Sequence, residues 1–388
     1  MAMSVRIGTG LSTAHDAREA ALEAGVAARE GLGGEPCDLA VVFASGTHLI
    51  APEALLEAVH EALSPEALVG CGAGGVIGPH REIEEGTAVS IWAAYLGGGS
   101  AEPFHAAVEE LEEGAGALTG MPDLAGAAGA ILLADPATFP TDAVLAFLSD
   151  AAPMVALLGG LASGRSGDGA VLMMDEDVLD EGAVGVRLDG VEVLPCVSQG
   201  ATPIGPELTI TSADGNIIDE LAGRPALETL RETIESLPPE ELELVQGGLL
   251  MGIVVDANKP DYVQGDFLVR GLVGADPATG KVAVAADVHP GQVVRLHARD
   301  ADSADRDLRE ALEIRMTALG GQAPAGALLF SCNGRGRLMF DRPEHDAAVV
   351  AEELAADGVA GFFAAGEIGP VGGEYFLHSF TATLAVFA

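Results

Sequence analysis

Cys332, Asn333 and Arg335 stand close together, directly after the apolar run Ala327-Leu328-Leu329-Phe330. A buried strand that ends in small polar residues, glycines and arginines is a natural place to hold a small ligand. Arg335 can receive a carboxylate bidentately, because its planar fork matches two oxygens. Further on, Glu367 lies in Gly366-Glu367-Ile368-Gly369-Pro370, where a carboxylate among apolar and glycine neighbours needs a partner. Glu367 can meet a ligand ammonium, or it can pair with Arg335 as a buried structural ion pair. Cys332 could act as a nucleophile if nearby cations lowered its pKa, with His345 or His378 as base. The competing reading is an inert buried thiol. Asn333 before Gly334 also suits a turn, and His378 before the last strand suits capping or packing.

Weaker counterparts lie near the N-terminus. Ser45, His48 and Arg81 are secondary candidates, although Arg81 followed by Glu82 and Glu84 reads as a solvated turn. Asp300, Asp302, Asp305 and Asp307 suit the N-terminal dipole of a helix. They lack the glycine and glutamate of a calcium loop, so no metal is assigned. Gly70-Cys71-Gly72-Ala73-Gly74-Gly75 formally satisfies a dinucleotide fingerprint, but Gly78-Pro79 leaves no room for the helix that must receive the pyrophosphate. No cofactor is expected.

These residues need a scaffold of strands and helices. Thr13 and Asp16 have the spacing of a capping box for a first helix that stops at Gly33-Gly34. Asp38 to Ala44 reads as a buried strand, Pro52 as a helix start, and Ala67 to Gly70 as a second strand. Short strands separated by Gly and Asp turns fill residues 130–200, and Asp214-Gly215-Asn216 marks a hairpin. A helix from Pro225 ends at Pro238-Pro239. Strands return between Leu249 and His297, and a helix follows from Ser303. The fold class is α/β in the mixed α+β sense: two domains of mixed sheets packed with helices.

An internal repeat ties the two candidate regions together. Gly70 to Pro79 aligns without gaps on Gly361 to Pro370, with Gly, Ala, Gly, Ile, Gly and Pro coincident. Val42 to Gly46 resembles Leu329 to Gly334, and a helix and a final strand recur in the same order. The unit is strand, helix, strand, Gly-rich turn, strand. Polar chemistry is concentrated in the second copy, where Glu367 replaces Val76.

The formal charge of −40, from 19 basic and 59 acidic residues, opposes nucleic acid and anionic membranes as partners. Cys37, Cys71, Cys196 and Cys332 form no CxxC or zinc spacing and suit reduced thiols in the cytoplasm. Met1 to Arg6 lacks the apolar core of a secretion signal. Ala143 to Leu161 is broken by Asp150 and Pro153 and reads as helix then strand.

Taken together these stretches resemble the FIST family. Asp38 to Leu96 resembles the FIST N-terminal domain. Asp219-Glu220-Leu221 with Gly223 to Leu227, Gly265 to Gly271, Phe330 to Gly336, Gly366 to Pro370 and His378 to Thr381 resemble the FIST C-terminal domain. One departure is Ala222, where the family pattern has Asp. The resemblance implies domains at 1–222 and 223–388. It also implies a cytoplasmic sensory, signal-transducing protein that binds a small molecule, with amino acids or related metabolites as ligands. It assigns no catalytic residue. This chain has no room for an output module, so a signalling protein partner is expected. The ligand-binding candidates are Cys332, Asn333, Arg335, Glu367 and His378. A cysteine-dependent hydrolase or transferase using Cys332, and a non-enzymatic scaffold, are the alternative functions.

Overall fold

Runs of small and β-branched residues dominate the first segment and form strands covered on both faces. In the computed structural model the chain begins with Arg6–Ser12 (β1), Ala17–Gly31 (α1), Leu39–Ser45 (β2), Pro52–Leu63 (α2) and Ala67–Ala73 (β3). The hairpin Val76–Gly78 and Arg81–Ile83 (β4, β5) and the strand Ala88–Tyr95 (β6) follow. Every residue of β2, β3 and β6 is buried, as a strand sandwiched between layers requires. Helix α1 starts later than its sequence suggests, because β1 extends to Ser12. Its cap is Asp16, whose side chain accepts the Glu19 N–H at 2.9 Å. The structure describes residues 4–110, 116–166, 169–257, 259, 261–262 and 265–388. Met1 to Met3 of the N-terminal stretch lie outside them.

A second segment comprises Ser100–Glu110 (β7), Gly116–Thr119 (β8), Gly129–Ala134 (β9), Thr141–Ala151 (α3) and Ala156–Leu161 (β10). Then come the two-residue ladder Arg165–Ser166 and Gly169–Ala170 (β11, β12), the hairpin Leu172–Met174 and Asp177–Leu179 (β13, β14), and Ala183–Asp189 (β15). Val193–Ser198 (β16) leads to Thr202–Asp214 (β17), Ile217–Leu221 (β18), Arg224–Pro225 (β19), Ala226–Glu235 (α4) and Pro239–Leu244 (α5). Leu249–Val254 (β20), Phe267–Asp276 (β21), Lys281–Val284 (β22), Val293–Ala298 (β23) and Ala301–Ala318 (α6) follow. The chain ends with Gly326–Cys332 (β24), Arg337–Phe340 (α7), His345–Leu354 (α8), Val359–Ala364 (β25), the hairpin Glu367–Val371 and Glu374–His378 (β26, β27), and Ala382–Phe387 (β28).

The chain divides into two compact units, one of residues 1–197 with 309–388 and one of Ser198–Leu308. The second is an antiparallel sheet in the order β17-β23-β20-β21-β22-β18 that closes through β17–β18. Its core gathers Ile204, Ile210, Met251, Val284 and Val294 with Leu230 of α4.

The first unit contains the strand-helix-strand-turn-strand arrangement three times. Its sheets run β1-β6-β2-β3-β13-β14, β7-β15-β9-β10-β26-β27 and β16-β28-β24-β25-β4-β5, with β8 added beside β7. In each, the two strands joined by a helix are parallel, and the last strand returns antiparallel. Each copy gives its hairpin away. β4 pairs with β25 of the third copy, β13 with β3 of the first, and β26 with β10 of the second. Three hairpins handed round in a ring bind the copies together.

The turn that starts each handover explains the recurring glycines. Gly70, Gly159 and Gly361 face Val42, Leu132 and Leu329 in the parallel ladders. A Cβ at these glycines would lie 2.2, 1.9 and 1.7 Å from the carbonyl oxygens of those same residues, so only glycine fits the close approach. At the crossing, the Phe363 N–H donates to the Gly75 carbonyl at 3.0 Å and the Leu161 N–H to the Gly366 carbonyl at 2.8 Å. The core between the sheets includes Phe43 stacked on Phe362 at 4.9 Å, with Phe330 edge-on to Phe362 at 5.8 Å.

Candidate functional site

Arg335 follows β24, and Asp346 lies in the first turn of α8. The guanidinium Nε donates to Asp346 Oδ2 at 2.7 Å and Nη2 to Oδ1 at 2.8 Å. Ser331 Oγ donates to Oδ2 at 2.7 Å, and His345 Nδ1 meets Oδ1 at 2.8 Å. The His345 ring stacks on Phe340 at 3.4 Å, and the guanidinium lies over the same ring at 5.3 Å. Both side chains of the ion pair are buried. Burial alone would push the Asp346 carboxyl up; Arg335, with His345, holds it well below the usual carboxylate range. Arg335 therefore pairs with Asp346, a partner that neither sequence reading of Arg335 named.

The hairpin from the first copy brings Glu82 onto this pair. Arg81 points out and Glu82 in, as the pleat of β5 dictates. Glu82 is only 5% exposed, so the solvated turn read from the sequence holds for Arg81 but not for Glu82. Its Oε1 accepts the Ala347 N–H at 2.8 Å, at the start of α8. Oε2 is buried with no hydrogen-bond partner among the described residues. Burial, then the charges of Asp346 and Glu84, push the Glu82 carboxyl up to about 8, against the pull of the Ala347 and Asp346 amides. Glu84 accepts the Arg337 N–H with both oxygens at 3.0 Å. Gly336 stands before it at φ 79°, where a Cβ would come within 2.8 Å of that carboxylate. Glu82, Glu84, Asn333, Arg335, Leu338 and Phe363 line a cavity of ≈ 500 Å³.

The remaining sequence candidates fall in three places. Asn333 is exposed at the cavity, with its N–H bonded to the Ala364 carbonyl at 2.9 Å. Cys332, Glu367 and His378 are buried outside the cavity lining. Glu367 accepts the Thr381 N–H at 3.1 Å and faces His378 across the β26–β27 ladder. His378 Nε2 meets the Gly369 carbonyl at 3.0 Å. Burial and the neighbouring Glu367 charge push the Cys332 thiol up to about 11, the reverse of nucleophile activation. Near the N-terminus, Ser45 Oγ donates to the Gly86 carbonyl at 2.9 Å. His48 is buried, which lowers its pKa, and exposed Arg81 reaches Glu344 at 3.8 Å.

Two motifs resolve structurally. The glycines at 70–75 run into β4 and not into a helix. In the acidic run, Asp300 accepts the Ser303 N–H at 2.9 Å, and Asp307 accepts from Ser198 and Gly200 at 2.7 Å. A larger cavity of ≈ 680 Å³ lies beside α3, walled by Val108, Leu118, Leu124, Val144, Phe147 and Leu148. Its wall is mainly apolar, and among the described residues Asp123 is its one charged side chain. Asp346 and Glu82 are what the sequence reading missed. The available signal was the in-out alternation of Arg81-Glu82-Ile83, too short to be distinguished from a turn.

The sequence model described as FIST N domain matches residues 38–224, and that described as FIST C domain matches residues 226–370. The chain is similar to uncharacterized proteins of mycobacteria. It is 46% identical to MT0656 of Mycobacterium tuberculosis strain CDC 1551 / Oshkosh and to Rv0628c of strain H37Rv, over 99% of this chain and 100% of theirs. It shares 46% identity with Mb0898c of Mycobacterium bovis over 99% of each chain.

Proposed function

The chain belongs to the FIST family, with both its N and C domains, and on that premise we propose that it is a cytoplasmic sensor that binds a small molecule. The family is associated with sensory signal transduction, and no helix among the described residues is long and apolar enough to cross a membrane. The observation that carries the reading is the ≈ 500 Å³ cavity floored by the buried Arg335–Asp346–Glu82 cluster. A buried ion pair is weak support for stability in itself, and strongly perturbed carboxyls beside a cleft mark candidate sites. Amino acids or related metabolites are the proposed ligand class. Asn333 and Arg335 contact the ligand in this reading. Cys332, Glu367 and His378 back the site, and Ser45, His48 and Arg81 are secondary positions. The proposed division into family domains stays at 222/223, and the proposed output is through a protein partner.

The test is a thermal-shift survey of the full chain against amino acids and central metabolites. A ligand at about a hundred times its Kd should stabilise the protein by about 2.7 kcal/mol. Asn333→Trp, which fills the cavity from its exposed rim, should abolish the shift. A panel with no shift, or a shift that survives Asn333→Trp, counts against the reading. The hydrolase alternative requires a reactive Cys332, and a thiol held near 11 by burial and Glu367 argues against it.

A further inference from the structure

The cavity contains an unsatisfied atom whose chemistry narrows the ligand. Glu82 is 95% buried by the complement of its 5% exposure. One carboxyl oxygen is committed to the Ala347 N–H. The other, Oε2, has no hydrogen-bond partner among the described residues, and Glu82 lines the cavity. A buried polar atom left unpaired forfeits its hydration with nothing in return, so a native structure that keeps one usually has a use for it.

The charges around Glu82 select the partner. From α8 it faces Asp346, which holds His345 and Arg335; Glu84 and Glu85 follow it in its own chain; Arg335 and Arg337 come from the segment after β24. The lining carries Arg335 and Arg337 against Glu82, Glu84 and Glu85, and Asp346 stands directly behind Arg335. The balance is negative, and Phe363 and exposed Leu338 supply apolar wall. A cation carrying a short hydrocarbon fits such a lining, whereas an anion meets surplus carboxylates.

We propose that Glu82 is the anchoring carboxylate for an organic ammonium group, which takes the place of the proton on Oε2. The neutral carboxyl gives its proton to solvent, and the incoming ammonium donates an N–H to the resulting carboxylate. No bond other than O–H is broken. The proposal rests on the reading of this cavity as the ligand site. It places at Glu82 the ammonium contact that was one of the two sequence readings of Glu367. Because the carboxyl titrates near 8, binding at neutral pH releases a proton.

Isothermal titration of the full chain tests this, with n-propylammonium and butane-1,4-diammonium as probes and propan-1-ol as the neutral counterpart. Titrations between about pH 6 and 9, in buffers of different ionisation heat, count the protons. The ammonium probes should bind and the alcohol should not. Their Kd should fall about tenfold per pH unit below 8 and level off above it, with close to one proton released at pH 7. Glu82→Gln keeps an oxygen for the Ala347 N–H, and urea unfolding checks that it folds. It should weaken ammonium binding at least about tenfold and abolish proton release, as expected for a lost charged partner, while Glu53→Gln, at an exposed position of α2 outside the cavity lining, retains both. Four results overturn the proposal: affinity flat with pH, affinity falling as pH rises, Glu82→Gln binding as well as the parent, or no binding of either ammonium at about 10 mM. If an uncharged or anionic metabolite binds in an Asn333→Trp-sensitive manner while the ammonium probes fail, this inference falls and the sensor reading stands.

Discussion

The junction around Arg335 and the junction around His48 are built from the same parts and do different things with them. Each lies beyond a strand whose Leu329 or Val42 faces the tight glycine, Gly361 or Gly70, and Arg335 and His48 stand equally far past those residues. Both are buried. Around His48 burial lowers the pKa and so favours the neutral ring, and among the described residues no ion pair of His48 is seen. Around Arg335 the charge is kept, and Asp346, Ser331, His345 and the visiting Glu82 supply its surroundings. The handover of hairpins needs glycines and apolar strands; it does not need a buried guanidinium. That the third copy carries one where the first carries His48 separates what the ring requires from what a ligand site would require.

Breaking the ion pair should separate the two junctions most clearly. Asp346→Asn leaves the Arg335 charge buried without its counter-charge and should cost about 3–5 kcal/mol in urea unfolding. His48→Leu removes a neutral ring and should stay within about 1 kcal/mol of the parent. Equal losses would mean that both junctions are structural.

The next effect is read in the pH dependence of stability. The Glu82 carboxyl rises from 4.5 unfolded to about 8 folded, so between these values the native state holds a proton that the unfolded state has lost. Its contribution is complete below about pH 4.5 and is lost as pH rises to about 8, at up to about 1.4 kcal/mol per unit. Subtracting the Glu82→Gln profile from the parent profile should isolate this slope. A difference flat across that window would place Glu82 in water.

The smallest effect concerns Cys332. With its thiol near 11, iodoacetamide should label it at neutral pH more slowly than an unfolded cysteine, as peptide mass spectrometry would show. Faster labelling would restore the nucleophile and link Cys332 to the cavity chemistry.

Much of the scaffold was legible. The stretches 70–79 and 361–370 keep Gly, Ala and Gly in register because the same carbonyl presses on the same glycine in each. The copy at 129–189 is harder to read because only Gly159, Ala162, Gly164 and Gly167 of the shared pattern survive in it, without the Ile and Pro, and its hairpin follows a longer excursion. Arg335 was legible as a site residue from its chemistry and its place after an apolar strand. Its partner was not, since Asp346 reads as an ordinary acidic residue in a helix's first turn. Glu82 was least legible: it is buried against helix α8 of another copy, far along the chain.

Sequence alone determined the longer apolar strands, most helices, the tight turns and the family, because each is set by neighbours along the chain: apolar runs, caps and glycines that no side chain can replace. Only the tertiary structure decided which carboxylate meets Arg335 and which is forced to hold a proton. That outcome depends on the exchange of hairpins between copies, which buries Glu82 against Asp346 and leaves Glu367 beside Cys332. Charge pairing in a protein interior is settled by what packing brings together, and packing here crosses more than two hundred residues of chain between Glu82 and Asp346.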